Sequence, residues 1–502
     1  MAGFRTWSGA LLVTTACLLG ACSGAEEASV ARSAGDVDAG SAPPAAGMDA
    51  GATATGDAGG SCGNGVVEGD ELCDGGSAVA CSALGAVWGA GQATCRKDCS
   101  GYDVSACTRS AQASETIYPG KRDARWANAK CNDGTPFAFE VSLAAKPTNK
   151  WILSFEGGGS CDGTYQSCAS RPAGLLSSAK LAADRAPADV QTPTLFSRDP
   201  AVNPDFFDAN FVKGQYCSSD LWSGTNLVPK PMKMKSGTTV PFVFTGRHNA
   251  RALIGELFRA YGLDDATSEV LFTGNSAGAA GAFTNIDLVA SRMPKAIAER
   301  RLALLVSAAW VNGLWTDMAF SWGGKGKPDA EVIADLGATY AAEPNVRCAA
   351  KAKAEGRSPA TCIVGAFAYD AAAKPAPEGW GVRTMIAQNR LDQLELKDHL
   401  IPTADTTDPA ALQARATWLA QMTTSLQPVA WLYAPADPQT SEAEENLHGI
   451  VPELLVWNFE PPGHPGQRLR DVLGRFWKAR TDGPGERVVF EGPVPHEGGA
   501  EQ

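Results

Sequence analysis

The sequence predicts an α/β fold, in which helices cover both faces of a mostly parallel sheet, preceded by a small disulfide-rich module. The first observation is that strand-like and helix-like runs alternate from residue 118 onward. The second is that the strand-like runs are nearly all apolar, as expected for strands buried on both faces. The third is a group of six cysteines within residues 62–107, a stretch too poor in apolar residues to form its own core.

Four segments carry this alternation. KWILSFEGGG (150–159) and EVLFTGNSAG (269–278) each run from an apolar strand into glycine. Between them, ARALIGELFRAYG (250–262) has the apolar spacing of a helix and ends in glycine. PVAWLYAP (428–435) is typical of a further buried strand. This order predicts parallel strands connected by helices.

Composition limits the classes of function. The 502 residues are 44% hydrophobic and carry a net charge of −12. A large core can therefore form, and the basic residues are scattered rather than gathered into a stripe. No nucleic-acid partner is expected.

The amino-terminal residues predict export. Residues 1–22 carry one arginine, then an apolar stretch too short to span a bilayer, then small residues up to Cys22. The ending Leu19-Gly20-Ala21-Cys22 resembles a bacterial lipobox, which implies a lipid on Cys22 as the only membrane contact and an outer-membrane or cell-surface location. The alternative is an ordinary cleaved signal and a secreted protein. The predicted segments are a signal (1–22), a flexible Ala/Gly/Asp linker (23–61), the cysteine-rich module (62–107), the α/β domain (112–482) and a polar tail (483–502).

Fourteen cysteines in an exported chain indicate disulfides. Cys17 leaves with the signal and Cys22 would take the lipid, so the module and the α/β domain keep even numbers. The order of pairing in the module stays open, because six cysteines allow fifteen arrangements. In the α/β domain we expect three pairs: Cys161 with Cys168, Cys348 with Cys362, and Cys131 with Cys217.

The module offers two alternatives that involve metal. Cys95 and Cys99 have a spacing that permits zinc, but no histidine lies nearby. Four acidic residues could bind calcium or simply form a solvated face: Glu68, Asp70, Glu71 and Asp74. The stretch CGNGVVEGDELCDGG resembles cysteine-rich repeats of exported bacterial proteins, which implies a spacer or binding module. We expect no metal and no catalytic role there.

A candidate nucleophile lies in LFTGNSAGAAG (271–281), where an apolar strand ends in Gly-x-Ser-x-Gly. Such a turn exposes the serine at the top of a sheet, and it needs Gly274 and Gly278 because side chains there would clash with strand and helix. Ser276 is therefore the predicted nucleophile. The amide of Ala277, at a helix N-terminus, can stabilise an oxyanion. The alternative is a chance match of five residues.

The glycine run Gly157-Gly158-Gly159 follows an earlier apolar strand. Glycines let backbone amides approach a carbonyl closely, as in the oxyanion loops of esterases, so the amides of Gly158 and Gly159 are predicted oxyanion donors. A flexible turn is the alternative. The order along the chain, with the glycine run before the serine turn, favours the oxyanion role.

Six pieces together resemble one family: KCNDGTPFAFEVS, WILSFEGGGSCDGTYQSC, NPDFFDANFVKGQYCSSDLWSG, LFTGNSAGAAGA, MIAQNRLDQLEL and LHGIVPELL. In this order, across residues from about 118 to 480, they resemble the pectin acetylesterase/Notum family, a branch of the α/β-hydrolase fold. The resemblance implies a serine carboxylic-ester hydrolase without cofactor or metal. Its substrate would be an ester of a polysaccharide or of a longer acyl chain, and the predicted anchor and tether favour O-acetyl groups on a polysaccharide. Ser160 stands where the family usually has tryptophan, and GxSAGG continues here as GNSAGAAG, which implies a changed pocket wall.

A serine nucleophile needs a histidine base and a carboxylate that orients the base. The α/β-hydrolase order of serine, acid and histidine removes His248. Four histidines remain: His399, His448, His464 and His496. His464 and His496 lie in Pro/Gly-rich stretches typical of exposed loops. His448 follows the strand PVAWLYAP by a loop and matches the family's HGIVPE, so it is the predicted base.

Two aspartates compete for the role of the acid. Fold logic favours Asp437 at the end of PVAWLYAPAD, whereas the family resemblance places the acid in a Q-x-x-x-D segment, here Gln388 to Asp392. We predict Asp392 and keep Asp437 as the alternative. A solvated helix position paired with Arg390 or Lys397 would also explain Asp392. The competing function is a non-catalytic surface protein that binds a partner on a hydrolase fold.

Overall fold

The computed structural model describes residues 62–179, 194–402, 406–437, 448–452, 454–480 and 483–492, together with Val494. The predicted signal with Cys22, the predicted linker and His496 lie outside the described residues, and the predicted polar tail is described in part. None of the described helices is long and apolar enough to cross a lipid bilayer.

The described strands are β1 (Ala78–Ala80), β2 (Gln92–Cys95), β3 (Tyr102–Asp103), β4 (Ser114–Ile117), β5 (Phe139–Ser142), β6 (Lys150–Phe155), β7 (Asn210–Gly214), β8 (Asn226–Lys233), β9 (Thr239–Phe244), β10 (Glu269–Asn275), β11 (Leu302–Ser307), β12 (Arg383–Ala387), β13 (Trp431–Ala436) and β14 (Glu486–Glu491). The described α-helices are α1 (Pro119–Arg122), α2 (Tyr165–Cys168), α3 (Gly246–Ala260), α4 (Ala277–Ala290), α5 (Pro294–Ala298), α6 (Asp329–Tyr340), α7 (Val346–Ala354), α8 (Gly365–Ala373), α9 (Gln393–Asp398), α10 (Pro409–Ser425), α11 (Leu454–Asn458) and α12 (Leu469–Lys478).

A nine-stranded sheet forms the centre of the described chain, in the order β14-β13-β12-β11-β10-β6-β7-β5-β4. Neighbouring strands from β14 to β7 are parallel, whereas β5 runs antiparallel to β7, and β4 antiparallel to β5. Parallel neighbours need crossover connections, which the intervening helices supply. The predicted fold class is confirmed.

Helices cover both faces of this sheet. Along β10, Val270 and Phe272 pack into one apolar cluster with Leu253 of α3, while Leu271 packs into another with Leu469 of α12. β11 lies in the middle of the sheet and is buried at every residue. This burial on both faces explains why its sequence, LALLVS, is continuously apolar rather than alternating.

Helix α3 begins at Gly246, four residues before the predicted start at Ala250. Arg247 in its first turn is 1% exposed and pairs with Asp287 of α4 at 2.8 Å. The first turn is therefore buried through an ion pair rather than through apolar side chains. Apolar spacing alone could not reveal it.

Three disulfides close the cysteine-rich module: Cys62–Cys99, Cys73–Cys95 and Cys81–Cys107. Because Cys95 and Cys99 are both oxidised, the zinc alternative loses the thiolates that it requires. Asp74, from the calcium alternative, accepts hydrogen bonds from the amides of Gly63 and Gly65 at 2.9 and 3.1 Å. Its carboxylate therefore holds a loop of the module.

The module packs against the α/β domain. Trp88 donates from Nε1 to the Ala260 carbonyl at the end of α3, at 3.0 Å, and the amide of Ala86 donates to the Glu115 carboxylate on β4, also at 3.0 Å. Residues 58–502 accordingly form one compact unit. Polar contacts therefore fix the module to the helix and strand that follow it, and its role as a spacer or binding module stays a prediction.

Candidate active site

The Gly-x-Ser-x-Gly turn lies between β10 and α4. Ser276 has φ 56° and ψ −130°, a conformation that residues other than glycine rarely adopt. Its amide donates to the Ser307 carbonyl at 2.9 Å. A Cβ added at Gly278 would lie 2.0 Å from the Phe155 carbonyl oxygen, and one at Gly274 would lie 2.3 Å from the Gly278 carbonyl carbon. Both glycines are required because strand and helix approach so closely.

The glycine run follows β6, which is the neighbour of β10 in the sheet. A Cβ added at Gly157 would lie 3.2 Å from the Cβ of Ser276, so the run passes directly beside the serine. Gly158 and Gly159 have φ 137° and 64°, values that side chains disfavour. Ala277 is the first residue of α4. Amides from these two segments can face a common oxygen atom.

His448 and Asp392 are joined through their side chains. Nδ1 of His448 lies 2.7 Å from Oδ2 and 2.9 Å from Oδ1 of Asp392. Asp392 is fully buried and caps α9, since its Oδ1 accepts from the amides of Leu394 at 3.0 Å and Glu395 at 3.4 Å. A carboxylate fixed in this way can set the orientation and tautomer of the histidine.

Gln388 explains the Q-x-x-x-D spacing. Its Nε2 donates to Asp392 Oδ2 at 3.3 Å, and its Oε1 accepts from the amide of Trp310 at 3.0 Å. Arg390 turns instead to the Phe490 carbonyl at 2.8 Å. The solvated position considered for Asp392 is therefore not what the structure shows. In the sequence analysis Gln388 served only as part of the family's Q-x-x-x-D pattern. Its spacing of four residues from Asp392 was a signal that the two side chains are in contact.

Asp437 follows β13 and is also buried. Its Oδ2 accepts from the amide of Val494 at 3.1 Å, and its own amide donates to Asn389 Oδ1 at 3.2 Å. Among the described residues, the carboxylate that reaches His448 is that of Asp392.

Two other candidate histidines have different partners. His399 Nε2 lies 2.9 Å from Asp329 Oδ2, and the pair is buried. Three tryptophan rings surround this histidine: Trp315, Trp322 and Trp418. His464 lies in a loop, with Nδ1 2.8 Å from Gln467 Oε1. Neither histidine is among the described residues that line the cavity containing Ser276.

Electrostatics favour the charged form of His448. Burial lowers the pKa of its imidazole, but the charge and hydrogen bond of Asp392, together with the charge of Asp398, raise that pKa by more, so it lies above the ordinary histidine value. Its Nε2 is buried and has no hydrogen-bond partner among the described residues. Buried polar atoms without a hydrogen-bond partner are uncommon in folded proteins. Nε2 is therefore available to accept a proton from a reacting group.

A cavity of about 530 Å³ opens beside these groups, and its wall includes the glycine run, Ser276 and His448. Apolar side chains form another part of the wall: Phe155, Leu195, Phe196, Leu394, Val451 and Pro452. This combination suits an ester, whose acyl group is apolar and whose carbonyl is polar. A larger cleft of about 1120 Å³ runs along β4 and β5, but its described lining has neither histidine nor cysteine.

Disulfides brace the α/β domain at three places: Cys131–Cys217, Cys161–Cys168 and Cys348–Cys362. The second of these closes the loop that follows the glycine run. One group of potential metal ligands was found in the described part of the chain, namely Cys62, Glu71 and Cys99. Its two sulfurs are joined in a disulfide, so they are not available as thiolates.

Sequence reasoning missed Trp222. Its ring stacks on Phe155 with 4.2 Å between centroids, and its Nε1 donates to the Glu156 carbonyl at 3.0 Å. It thereby holds the start of the glycine run against β6. The available signal was its place in the family piece that ends DLWSG, since a buried tryptophan must find a partner for its nitrogen.

Comparisons with known proteins found similar sequences and a similar fold. The family model described as Pectinacetylesterase matches residues 121–311. Palmitoleoyl-protein carboxylesterase notum1' of Xenopus laevis is 34% identical over 162 residues, which cover 32% of this chain and 30% of that protein. Pectin acetylesterase 5 of Arabidopsis thaliana is 32% identical over 148 residues, covering 30% of this chain and 32% of that protein. The chain thus spans about a third of the length of these curated relatives.

The structure of the Wnt deacylase Notum from Drosophila is similar, with a TM-score of 0.56 at 20% sequence identity, covering 72% of this chain and 94% of that chain. At this identity the likeness shows the fold, that of an α/β hydrolase. The family model covers both the glycine run and the serine turn. Residues 121–311, which hold both segments, are therefore similar to the pectin acetylesterase family.

Proposed function

We propose that the protein is a serine esterase that hydrolyses carboxylic esters through an acyl-enzyme. One observation carries this proposal: Asp392 holds His448 at Nδ1, while Nε2 has no partner among the described residues, beside a cavity that Ser276 also lines. A histidine held at one nitrogen and open at the other has the arrangement that a general base for a serine nucleophile requires.

In the proposed mechanism, Ser276 Oγ attacks the ester carbonyl while His448 Nε2 accepts the hydroxyl proton. The imidazolium then gives this proton to the leaving alkoxide, and the acyl group stays on the serine. Water next attacks the acyl-serine, with His448 again as the base, and the carboxylic acid is released. Asp392 keeps the Nδ1 proton directed at itself and stabilises the imidazolium.

Negative charge develops on the carbonyl oxygen in both steps. The amide of Ala277 and an amide of the glycine run, at Gly158 or Gly159, would hold this oxyanion. Preorganised donors of this kind contribute strongly, because loss of one typically lowers kcat by roughly 100- to 1,000-fold.

We further propose O-acetyl groups on a polysaccharide as the substrate. The description of the family model and the name of the Arabidopsis relative support this choice. Export to the outer membrane or cell surface, through the signal 1–22 and a lipid on Cys22, belongs to the same proposal. The six disulfides of the described chain suit an oxidising compartment.

A second candidate substrate is an ester of a longer acyl chain. The cavity of about 530 Å³ is larger than an acetyl group needs, and part of its wall is apolar. Apolar groups gain free energy on leaving water for such a wall, in proportion to the area buried. The Xenopus relative is named as a palmitoleoyl-protein carboxylesterase.

Hydrolysis of p-nitrophenyl esters from acetate to palmitate tests both the reaction and the acyl length. We expect residues 62–502 to turn over these esters, and Ser276→Ala to lose turnover at an unchanged Tm. A rate that peaks at acetate, with release of acetate from acetylated pectin or xylan, would support the polysaccharide substrate. A rate that peaks at long chains would support the second candidate. If wild type and Ser276→Ala are equally inert on all of these esters, the surface-binding function replaces the esterase.

A further inference from the structure

We propose that Arg171 is a positioning residue that turns the Gly158–Gly159 peptide so that the Gly159 amide faces the ester oxygen. This inference rests on the proposed esterase function and adds a residue to its oxyanion site. Nη1 of Arg171 donates to the carbonyl oxygen of Gly158 at 2.6 Å. Arg171 lies in neither the predicted triad nor the predicted oxyanion donors.

The direction of the amide follows from the geometry of the peptide group. In a planar trans peptide, the carbonyl of one residue and the N–H of the next point in opposite directions. When the Gly158 carbonyl is held toward Arg171, the Gly159 N–H therefore points away from it. The glycine run lines the cavity beside Ser276, whereas Arg171 is not among the described lining residues. The guanidinium thus lies behind the run, and the amide faces the cavity.

A run of glycines needs such a contact because its peptide groups can flip easily between orientations. Gly158 and Gly159 both have positive φ, at 137° and 64°, and without side chains they reach many backbone conformations at little cost. A flipped peptide would direct a carbonyl oxygen at the developing oxyanion and repel it. A hydrogen bond from a charged donor is about twice as strong as a neutral one, so Arg171 favours the productive orientation before substrate binds.

Arg171 is itself anchored by the segments around it. Its Nε donates to Ser219 Oγ at 3.1 Å, and Ser219 Oγ donates to Asn132 Oδ1 at 2.7 Å. Its amide donates to the Cys168 carbonyl at 3.1 Å. Cys168 forms the disulfide with Cys161 that closes the preceding loop. The guanidinium therefore has a fixed base from which to orient the peptide.

The test compares Arg171→Ala and Arg171→Lys with wild type in residues 62–502. We expect Arg171→Ala to lower kcat by roughly 10- to 100-fold, less than outright loss of an oxyanion donor, with KM nearly unchanged. Affinity for phenylboronic acid, whose tetrahedral adduct with serine also needs the amide, should fall by the same factor. Arg171→Lys should retain part of the turnover, and millimolar guanidinium should restore turnover to Arg171→Ala.

Arg383 supplies a matched control. It donates to the carbonyls of Phe476 and Ala479 at 2.6 and 2.7 Å, at the amino end of β12 and thus at the opposite edge of the sheet from the serine. Arg383→Ala removes a similar contact and should keep the kcat of wild type. The role of Arg171 is overturned if Arg171→Ala keeps wild-type kcat and boronate affinity, or if guanidinium and lysine restore nothing. An inert wild type would instead overturn the esterase function itself.

Discussion

Asp392 and Asp437 are alike in burial and in their place after neighbouring parallel strands, yet their contacts differ. Asp392 meets His448 on one side and Gln388 on another, and it caps α9. Asp437 accepts from the amide of Val494. A triad acid must point at Nδ1 of the histidine. The hydrogen bonds to Asp392 hold its carboxylate in that direction.

We predict that Asp392→Asn lowers kcat by roughly 10,000-fold, the scale seen when a triad aspartate becomes an amide that favours the wrong histidine tautomer. Asp437→Asn, the matched variant at the alternative position, should stay near wild type. Steady-state kinetics on p-nitrophenyl acetate would measure both. The opposite ranking of the two variants would transfer the role of the acid to Asp437.

The acid limb of the pH profile should report His448. The base must be neutral to accept a proton, and its pKa lies above the ordinary histidine value because the Asp392 interactions and the Asp398 charge outweigh burial. Protonation therefore persists to higher pH, and kcat/KM should fall to half at a pH above that of an unperturbed histidine, about 6.5. A midpoint below that value would contradict this electrostatic picture. Asp398→Asn should lower the midpoint slightly, since it removes one of the raising charges.

At the scale of structural elements, the loop between Cys161 and Cys168 lies directly before Arg171, the residue that holds the Gly158 carbonyl. These two cysteines are 7 residues apart in the chain. Cys348, in α7, and Cys362 are 14 residues apart. Loop-closure entropy gives the two disulfides similar weights in stability, since the cost varies only with the logarithm of loop length.

We predict that the double variants Cys161→Ser/Cys168→Ser and Cys348→Ser/Cys362→Ser each lose about 2 to 3 kcal/mol of unfolding free energy. Only the first should also lower kcat, because only that loop supports the residue that orients the glycine run. Urea unfolding and ester kinetics on the same samples would separate the two effects. Equal kcat losses in both variants would show that the first disulfide has no special link to the site.

At the scale of the whole molecule, the cysteine-rich module is in close contact with the α/β domain. Arg122 joins the two regions: Nη1 donates to the Leu84 carbonyl at 3.0 Å and to Tyr261 Oη at 2.6 Å, and Nη2 donates to Glu115 Oε2 at 2.8 Å. A Cβ added at Gly101 would lie 2.0 Å from the Phe258 carbonyl oxygen, so the backbones are in close contact. Removal of the module would expose these groups.

We predict that residues 112–502 have a lower Tm than residues 62–502. Within the longer chain, Trp88→Ala should cost about 3 to 5 kcal/mol of unfolding free energy, as for other large buried side chains. Calorimetry and urea unfolding would measure these changes. An unchanged Tm on removal of the module would support the spacer interpretation.

The sequence by itself determined the features that are local in the chain. Continuous apolar runs predicted the parallel strands, since burial on both faces leaves no polar positions. The glycines around Ser276 predicted the turn, because the close approach of strand and helix excludes a Cβ at Gly274 and Gly278. These inferences need only the spacing of residue types over a few positions.

The tertiary structure decided which distant residues meet. His448 and Asp392 are 56 residues apart, and Trp88 and Ala260 are 172 apart. No periodicity records such contacts, because they depend on how strands are ordered in the sheet and how loops close above it. The same holds for Arg171, which looks like any loop arginine until folding brings its guanidinium behind the Gly158 carbonyl. Sequence determined the chemistry available in each segment, and tertiary packing selected the groups that act together.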